Sequence, residues 1–210
     1  MSQAIELIVG LGNPGAEHLE DRHNAGFWLT DIIARECGAT FRADKRLQAE
    51  TADVTIGADR VRLLKPQTYM NNSGRAVAAT LSYFKIPPER MLVAYDELDL
   101  EPGRAQLKFD GGHGGHNGMR DIVAHIGKAF WRLRLGIGHP GAGRKDEVSG
   151  YVLRRPTAEQ LELMLEAITA GAEAIPVFLS DGPERAKTQL HTRARGTPPQ
   201  AGTDATNSGN

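Results

Sequence analysis

Four polar clusters contain the side chains that could carry chemistry in this sequence. They are Gly12–Gly15 together with Arg22–Gly26, Tyr69–Gly74, Asp96–Asp99 and Gly114–Gly118. Together they supply histidines, carboxylates and several carboxamides, but little that is nucleophilic by itself. Histidine transfers protons at neutral pH, and carboxamides can hold a polar substrate without adding charge. These residue types therefore favour acid–base chemistry in which a histidine is the proton carrier.

Each cluster also has a purely structural interpretation. Gly12–Gly15 has the composition of a tight turn, and Asn24 could simply cap a helix that runs to Cys37. Asn71 and Asn72 could cap the next helix, and Asp96–Asp99 could be a solvated acidic turn. No single cluster is specific enough to decide between the two interpretations.

The glycine-rich stretches also suggest a metal site or a nucleotide site, but neither is favoured. His113 and His116 lack the helical i,i+4 spacing of a typical ligand pair, and no cysteine lies near them. Gly10–Gly15 matches a dinucleotide-binding fingerprint, but Pro14 lacks the N–H that a pyrophosphate would need. There is no Gly-x-x-x-x-Gly-Lys-[Ser/Thr] loop for a nucleoside triphosphate. We expect no metal and no cofactor.

Alternating strands and helices are predicted to position the four clusters. Strands are predicted at 4–11, 50–56, 60–64, 91–95, 104–109 and 132–137, and helices at 24–37, 73–84, 119–126 and around 161–172. Pro176 should end or kink the last helix. The alternation predicts a single α/β domain with a twisted mixed, mostly parallel sheet and helices on both faces. In such a sheet, polar clusters that follow strands lie together at the carboxyl edge.

Length and composition agree with one ordinary folded domain. The chain has 210 residues, of which 40% are hydrophobic and 24% charged, and a formal net charge of −1. Cys37 is the one cysteine, which excludes an intramolecular disulfide. We find neither a secretory signal nor an apolar run long enough for a membrane span, and expect a cytoplasmic monomer. We expect a folded domain over 1–192 and a disordered polar tail over 193–210.

The order of the motifs is far more specific than any one of them. The motifs are Val9–Gly15, Arg22–Gly26, Met70–Gly74, Ala94–Asp99, Gly111–Gly118 and Arg132–Pro140. In this order they resemble the bacterial-type peptidyl-tRNA hydrolase family, over about residues 4 to 191. The resemblance implies metal-independent hydrolysis of the ester bond that joins a peptide to the terminal ribose of a tRNA.

The resemblance also implies a role for each residue of the site. His23 would be the general base that activates water, Asp96 would fix its tautomer, and Asn13 would lie beside the water and the ester. The residues implied to bind substrate are Asn71, Asn117, Met70, Tyr69, His116 and His18. The family usually has an aromatic residue, commonly Tyr, in place of His18 and Thr in place of Asp21, so the rim of the site differs here.

Charge is unevenly distributed along the sequence. Residues 100–155 contain ten basic and five acidic side chains, whereas residues 156–192 contain two basic and six acidic ones. A basic segment beside the predicted site favours contact with nucleic-acid phosphates. The resemblance assigns such tRNA contacts to Lys108 and Arg134.

Two other classes of function remain open at this stage. An RNA-binding module without catalysis would explain the basic segment, but not the set of histidine, aspartate and asparagine side chains. Another hydrolase or a phosphorylase on a similar open sheet would use the same kind of site on a peptide or a nucleoside. Turnover of N-blocked aminoacyl-tRNA separates both from the main hypothesis.

Overall fold

A seven-stranded sheet forms the centre of the protein. In the computed structural model, residues 4–141 and 147–193 are described, except for the side chain of Arg193. The strands are β1 (Leu7–Gly10), β2 (Arg42–Asp44), β3 (Ala49–Ile56), β4 (Asp59–Pro66), β5 (Met91–Glu97), β6 (Ala105–Phe109) and β7 (Trp131–Gly136). The helices are α1 (Ala25–Glu36), α2 (Ser73–Phe84), α3 (Asn117–Ile126), α4 (Val148–Val152), α5 (Ala158–Asp181) and α6 (Pro183–Arg193).

Strand order places two strand ends side by side where the site lies. The order is β2-β3-β4-β1-β5-β7-β6, and the four central strands are parallel to one another. The outer strands β2, β3 and β6 pair antiparallel with their neighbours, so the sheet is mixed. This confirms the predicted α/β fold, with parallel pairing confined to the centre. Because β1 and β5 are parallel neighbours, the residues that follow them meet at one edge.

Alternate side chains of the central strands build a core on each face of the sheet. On β5, Leu92 and Ala94 face a core that includes buried residues of α1, α5 and α6. Val93 and Tyr95 face the other core, which includes buried residues of α2 and α3. The period of two along the strand explains why a run with little polarity is buried on both faces.

Helix α5 does not end at Pro176, so that part of the prediction is wrong, while a kink there stays a prediction. The helix continues past this proline to Asp181. A proline inside a helix loses one hydrogen bond and costs about 3 kcal/mol. Here Ile175, Phe178 and Leu179 are buried on either side of it, and their burial outweighs that cost.

By length and composition α5 could also cross a membrane, although the sequence showed no apolar run of that length. More than half of its most apolar stretch is buried within this protein, as in the core helix of many globular folds.

Strand β6 also differs from the prediction. It runs antiparallel to β7, so Phe109 lies at the opposite end of the sheet from the ends of β1 and β5. The glycine loop after Phe109 therefore has to return along the sheet to reach the carboxyl edge. Arg132 holds the start of this return, since its guanidinium donates to the carbonyl oxygens of Gly111, at 2.6 Å, and Gly112.

Of the strands and α-helices given above, β2, α4 and α6 were not predicted. The predicted disordered tail lies outside the described residues, apart from Arg193 at the end of α6.

Candidate active site

A cleft of about 730 Å³ opens at the carboxyl ends of β1 and β5. Its lining includes all nine residues that were predicted to be catalytic or to bind substrate: Asn13, His18, His23, Tyr69, Met70, Asn71, Asp96, His116 and Asn117. They come from four separate stretches of the chain, 13–23, 69–71, 96 and 116–117, so only the fold brings them together. All four polar clusters of the sequence therefore contribute to the cleft.

The centre of the cleft is a carboxylate between two histidines. Nδ1 of His23 lies 2.9 Å from both carboxylate oxygens of Asp96. Nε2 of His116 lies 3.0 Å from Oδ1 of the same aspartate. The two imidazole rings are 4.8 Å apart, centroid to centroid. Asp96 therefore accepts from both rings and leaves Nε2 of His23 as the nitrogen available to the cleft.

Charge and burial move the pKa values of these groups in different directions. Burial disfavours the charged form of His23, but the charge and hydrogen bond of Asp96, with a further contribution from Asp21, raise its pKa above 6.5. Burial dominates for His116 and lowers its pKa. Burial alone would raise the pKa of Asp96, but the two histidines hold it well below its usual range. Asp96 is thus a carboxylate at neutral pH, and His23 is the stronger base.

Asn13 and Asn24 fix each other across the bottom of the cleft. The backbone N–H of Asn13 donates to Oδ1 of Asn24 at 2.8 Å, and Nδ2 of Asn24 donates back to the carbonyl of Asn13 at 3.0 Å. The side chain of Asn24 is therefore not a helix cap, although α1 begins at the next residue. Oδ1 of Asn13 accepts from the backbone N–H of Met70 at 2.8 Å, which leaves its amide N–H groups for the cleft.

Glycine at position 26 lets the turn that carries His23 approach the sheet. A Cβ atom there would lie 2.3 Å from the carbonyl oxygen of Ala94 and 2.4 Å from the backbone nitrogen of Leu11. Both neighbours are backbone atoms of the central strands and their extensions, so they cannot move aside. Only glycine permits this close packing, which sets the position of His23 relative to Asp96.

The predicted peptide-binding side chains lie around the mouth of the cleft. Asn71 and Asn117 are exposed, and Oδ1 of Asn117 accepts from the guanidinium of Arg120 at 3.1 Å. Met70 is buried, whereas Tyr69 is 64% exposed at the rim. Exposed carboxamides beside a buried apolar wall can bind a peptide backbone while tolerating different side chains.

The two positions where the chain departs from the family pattern contact each other. Nδ1 of His18 lies 2.7 Å from a carboxylate oxygen of Asp21, whose side chain is largely buried. His18 also lines the cleft. The pair therefore forms one hydrogen-bonded unit at the rim, where the resemblance leads us to expect an aromatic residue and a threonine.

One wall of the cleft comes from a segment that the sequence analysis missed. The lining residues in and after α4 are Val148, Ser149, Val152 and Leu153. The apolar spacing of Val148, Tyr151 and Val152 is the only signal for this helix, and five residues are too short to recognise with confidence from periodicity.

Arg22 holds this wall in place. Its guanidinium donates to the carbonyl oxygens of Tyr151, Arg154 and Arg155 at 2.9 to 3.2 Å, and to Oε1 of Gln160 at 2.6 Å. The same guanidinium lies 4.1 Å from the centre of the Tyr151 ring. Arg22 directly precedes His23, so it connects the turn with the histidine to the α4 wall.

Lys108 and Arg134 lie outside the residues that line the cleft. Lys108 is exposed. Its side chain lies near Gly111, since a Cβ atom added at that glycine would be 3.3 Å from Nζ of Lys108. Nε of Arg134 donates to Oε2 of Glu97 at 2.8 Å, and another nitrogen of its guanidinium donates to Gln106. Glu97 is buried and lines the cleft, so it connects the cleft to Arg134 on β7. The sequence analysis did not assign a role to Glu97.

Among the described residues, one group of histidine and acidic side chains is close enough to consider as a metal site. It consists of His23, Asp96 and His116, whose ligand atoms lie within 4.8 Å of one another. The two histidine nitrogens are 2.9 and 3.0 Å from Asp96, which are N–H···O distances. A metal would need to replace both hydrogen bonds and sit about 2.0–2.2 Å from each ligand. In this arrangement the three side chains are placed for hydrogen bonding to one another and not for coordination of a metal ion.

Comparison with known proteins agrees with this geometry. The family model described as peptidyl-tRNA hydrolase matches residues 7–198. The chain is 48% identical over 194 residues to the peptidyl-tRNA hydrolase of Polynucleobacter asymbioticus, covering 90% of this chain and 99% of that protein.

Solved structures show the same similarity. A crystal structure of the peptidyl-tRNA hydrolase of Acinetobacter baumannii superposes with a TM-score of 0.86 at 46% identity, covering 90% of this chain and 95% of that one. A point mutant of the enzyme from the same organism gives a TM-score of 0.87 at 44% identity, with 90% and 96% coverage. With its motifs, its fold and its cleft in agreement, the chain belongs to the peptidyl-tRNA hydrolase family.

Proposed function

We propose that the protein hydrolyses the ester bond between the peptide and the tRNA in peptidyl-tRNA, with water as nucleophile and His23 as general base. Family membership supports the substrate. The observation that carries the mechanism is the contact of His23 Nδ1 with both oxygens of Asp96 at 2.9 Å. It commits the Nδ1 proton to the aspartate and leaves Nε2 unprotonated toward the cleft.

The reaction proceeds by two proton transfers through the same nitrogen. Nε2 of His23 removes a proton from water as the oxygen attacks the ester carbonyl. The imidazolium that forms is stabilised by Asp96, whose pKa is far too low for it to take up the proton itself. His23 then returns the proton to the ribose oxygen as the carbon–oxygen bond breaks. The products are a free peptide acid and a tRNA with a free terminal hydroxyl.

The amide groups around the base hold the substrate and its developing charge. Asn13 can donate through Nδ2, because its Oδ1 is engaged by Met70. Asn71 and Asn117 bind the peptide backbone, with Met70 and Tyr69 as apolar contacts for its side chains. His18 contacts the substrate at the rim. Binding through backbone groups and carboxamides suits an enzyme that must accept many peptide sequences.

One assay tests the activity directly. The purified protein should release free tRNA from an N-blocked aminoacyl-tRNA in buffer containing EDTA. Salt-dependent binding of the tRNA without any release would instead indicate an RNA-binding module. We further propose a cytoplasmic monomer whose folded domain ends near residue 192.

The activity should rise with pH through a midpoint above 6.5. His23 must be neutral to accept a proton from water, and its pKa is raised above that value. The acid limb of kcat/KM against pH reports this group in the free enzyme. A midpoint below 6.5 would contradict the raised pKa of His23.

Lys108 should contribute to tRNA binding without taking part in the chemistry. Replacing it with alanine should raise KM for full-length substrate and reduce the salt dependence of binding by about one ion. Turnover of a short ester that lacks the tRNA body should stay close to wild type. Lys45→Ala is the matched control, because this exposed lysine follows β2 at the opposite edge of the sheet. Equal losses on both substrates would contradict a phosphate contact.

Arg134 is a less simple case than Lys108. Because it pairs with the buried Glu97, Arg134→Ala should weaken tRNA binding and also disturb the cleft. We therefore expect a partial loss on the short ester for Arg134→Ala, but not for Lys108→Ala.

A further inference from the structure

We propose that His116 is a positioning residue that fixes Asp96 through one tautomer of its ring, and not a substrate-binding residue as the family resemblance implies. The inference rests on the proposed role of His23 as general base. It follows from what each ring nitrogen of His116 contacts.

Nδ1 of His116 is an acceptor. It lies 3.3 Å from the backbone nitrogen of Met119, in the arrangement of a side chain that caps the start of α3. A backbone N–H can only donate, so Nδ1 must carry a lone pair. The proton of the neutral ring is then on Nε2.

Nε2 of His116 is therefore the donor in its contact with Oδ1 of Asp96 at 3.0 Å. Both ring nitrogens are used within the protein, and the side chain is only 7% exposed. No polar atom of the ring remains for a peptide or for the ester. Its position in the lining of the cleft reflects support for Asp96 rather than contact with substrate.

The contact restricts the carboxylate that orients the base. Asp96 accepts from His116 and from His23, so it cannot rotate without losing one of the two bonds. Tyr95 packs edge-on against the His116 ring at 5.1 Å and limits the rotation of that ring. The start of α3 thus holds in place, through His116, the carboxylate that accepts the Nδ1 proton of His23.

Burial and the surrounding charges together favour protonation of His23 over His116. Asp96 faces both rings, Asp21 adds a negative charge near His23, and Glu97 adds one near His116. His116 is the more deeply enclosed ring, which disfavours its charged form, and an imidazolium on one ring disfavours an imidazolium on the other. Protonation at Nδ1 of His116 would also break its bond with Met119. The proton taken from water therefore stays on His23.

Two substitutions separate the two nitrogens of His116. In His116→Asn the amide oxygen can replace Nδ1 as the helix cap, but no group reaches Asp96. In His116→Gln the amide nitrogen can replace Nε2 and donate to Asp96, although the cap is weakened. Neither side chain titrates. Thermal melting of both variants checks that they fold.

The expected results differ between the two variants. His116→Asn should lower kcat by about 10- to 100-fold with little change in KM, because a hydrogen bond to a charged group is lost. Its acid limb should move to higher pH, since Asp96 with one donor fewer binds the His23 proton more tightly. His116→Gln should restore most of kcat and the wild-type pH profile. An increase in KM at unchanged kcat in both variants would show substrate binding and overturn the proposal.

A second measurement does not depend on activity. Nitrogen-15 NMR of the wild-type protein should show His116 with a protonated Nε2 and an unprotonated Nδ1 while His23 titrates. A proton on Nδ1 of neutral His116, or protonation of His116 before His23, would overturn the proposal. If the wild-type protein releases no tRNA at all, the proposed function fails, but this measurement still tests the tautomer.

Discussion

Replacing His23 with alanine should lower kcat for peptidyl-tRNA hydrolysis by about 10²- to 10⁴-fold, the usual effect of removing a general base. The substitution removes the ring nitrogen that is available beside Asp96, since Nε2 of His116 is engaged by that aspartate. KM should change little, because the residues proposed to hold the substrate, Asn71, Asn117, Lys108 and Arg134, stay in place. Release of tRNA from N-blocked aminoacyl-tRNA in EDTA measures both parameters.

His191→Ala is the matched control for this experiment. His191 is exposed on α6, which packs on the sheet face away from α2 and α3. It should retain wild-type kcat. A fully active His23→Ala protein would refute the assignment of the base, whereas equal losses in both variants would indicate a general loss of structure.

Replacing Asp96 with asparagine should reduce kcat by about 10³- to 10⁴-fold, although it changes the volume of the side chain very little. An amide cannot accept from both histidines through the same two atoms, because its nitrogen is a donor. If the new amide nitrogen faces His23, Nδ1 of His23 becomes the acceptor and the ring proton moves to Nε2. Nε2 can then no longer remove a proton from water. The pKa of His23 should also fall, because the negative charge that raises it is gone.

Asp99→Asn provides the control from the same acidic cluster. Asp99 is exposed just beyond β5, so loss of its charge should leave kcat close to wild type. The acid limb of the profile is the second readout, and Asp96→Asn should shift it to lower pH if enough activity remains. Wild-type kcat in Asp96→Asn would show that the carboxylate does not orient His23.

The sequence was sufficient to predict the cleft because its chemistry lies next to strands. Asn13 follows β1 and Asp96 ends β5, and both strands are recognisable from short apolar runs. Parallel neighbours end at the same edge, so the two residues had to meet. The ordered motifs then identified the family, which the comparisons confirmed.

The remaining features depend on contacts between distant parts of the chain. Pro176 breaks helices in isolation, and only the burial of its neighbours on the sheet explains why α5 continues. The partner of Arg134 is Glu97, on a different strand, and no local pattern predicts that pairing. Nothing in the order of residues shows that His116 caps α3 with one nitrogen and binds Asp96 with the other.

The contacts of Arg22 have a consequence for the order in which the site forms. Its guanidinium binds residues that lie 129 to 138 positions further along the chain. During synthesis, His23, Asp96 and His116 leave the ribosome well before Gln160 does, so the full set of Arg22 contacts with the wall at α4 forms only then. A nascent chain that stops short of Gln160 would contain all three residues around the reaction centre and still lack a finished cleft. The cleft is therefore completed only after most of the protein's own peptide has been made.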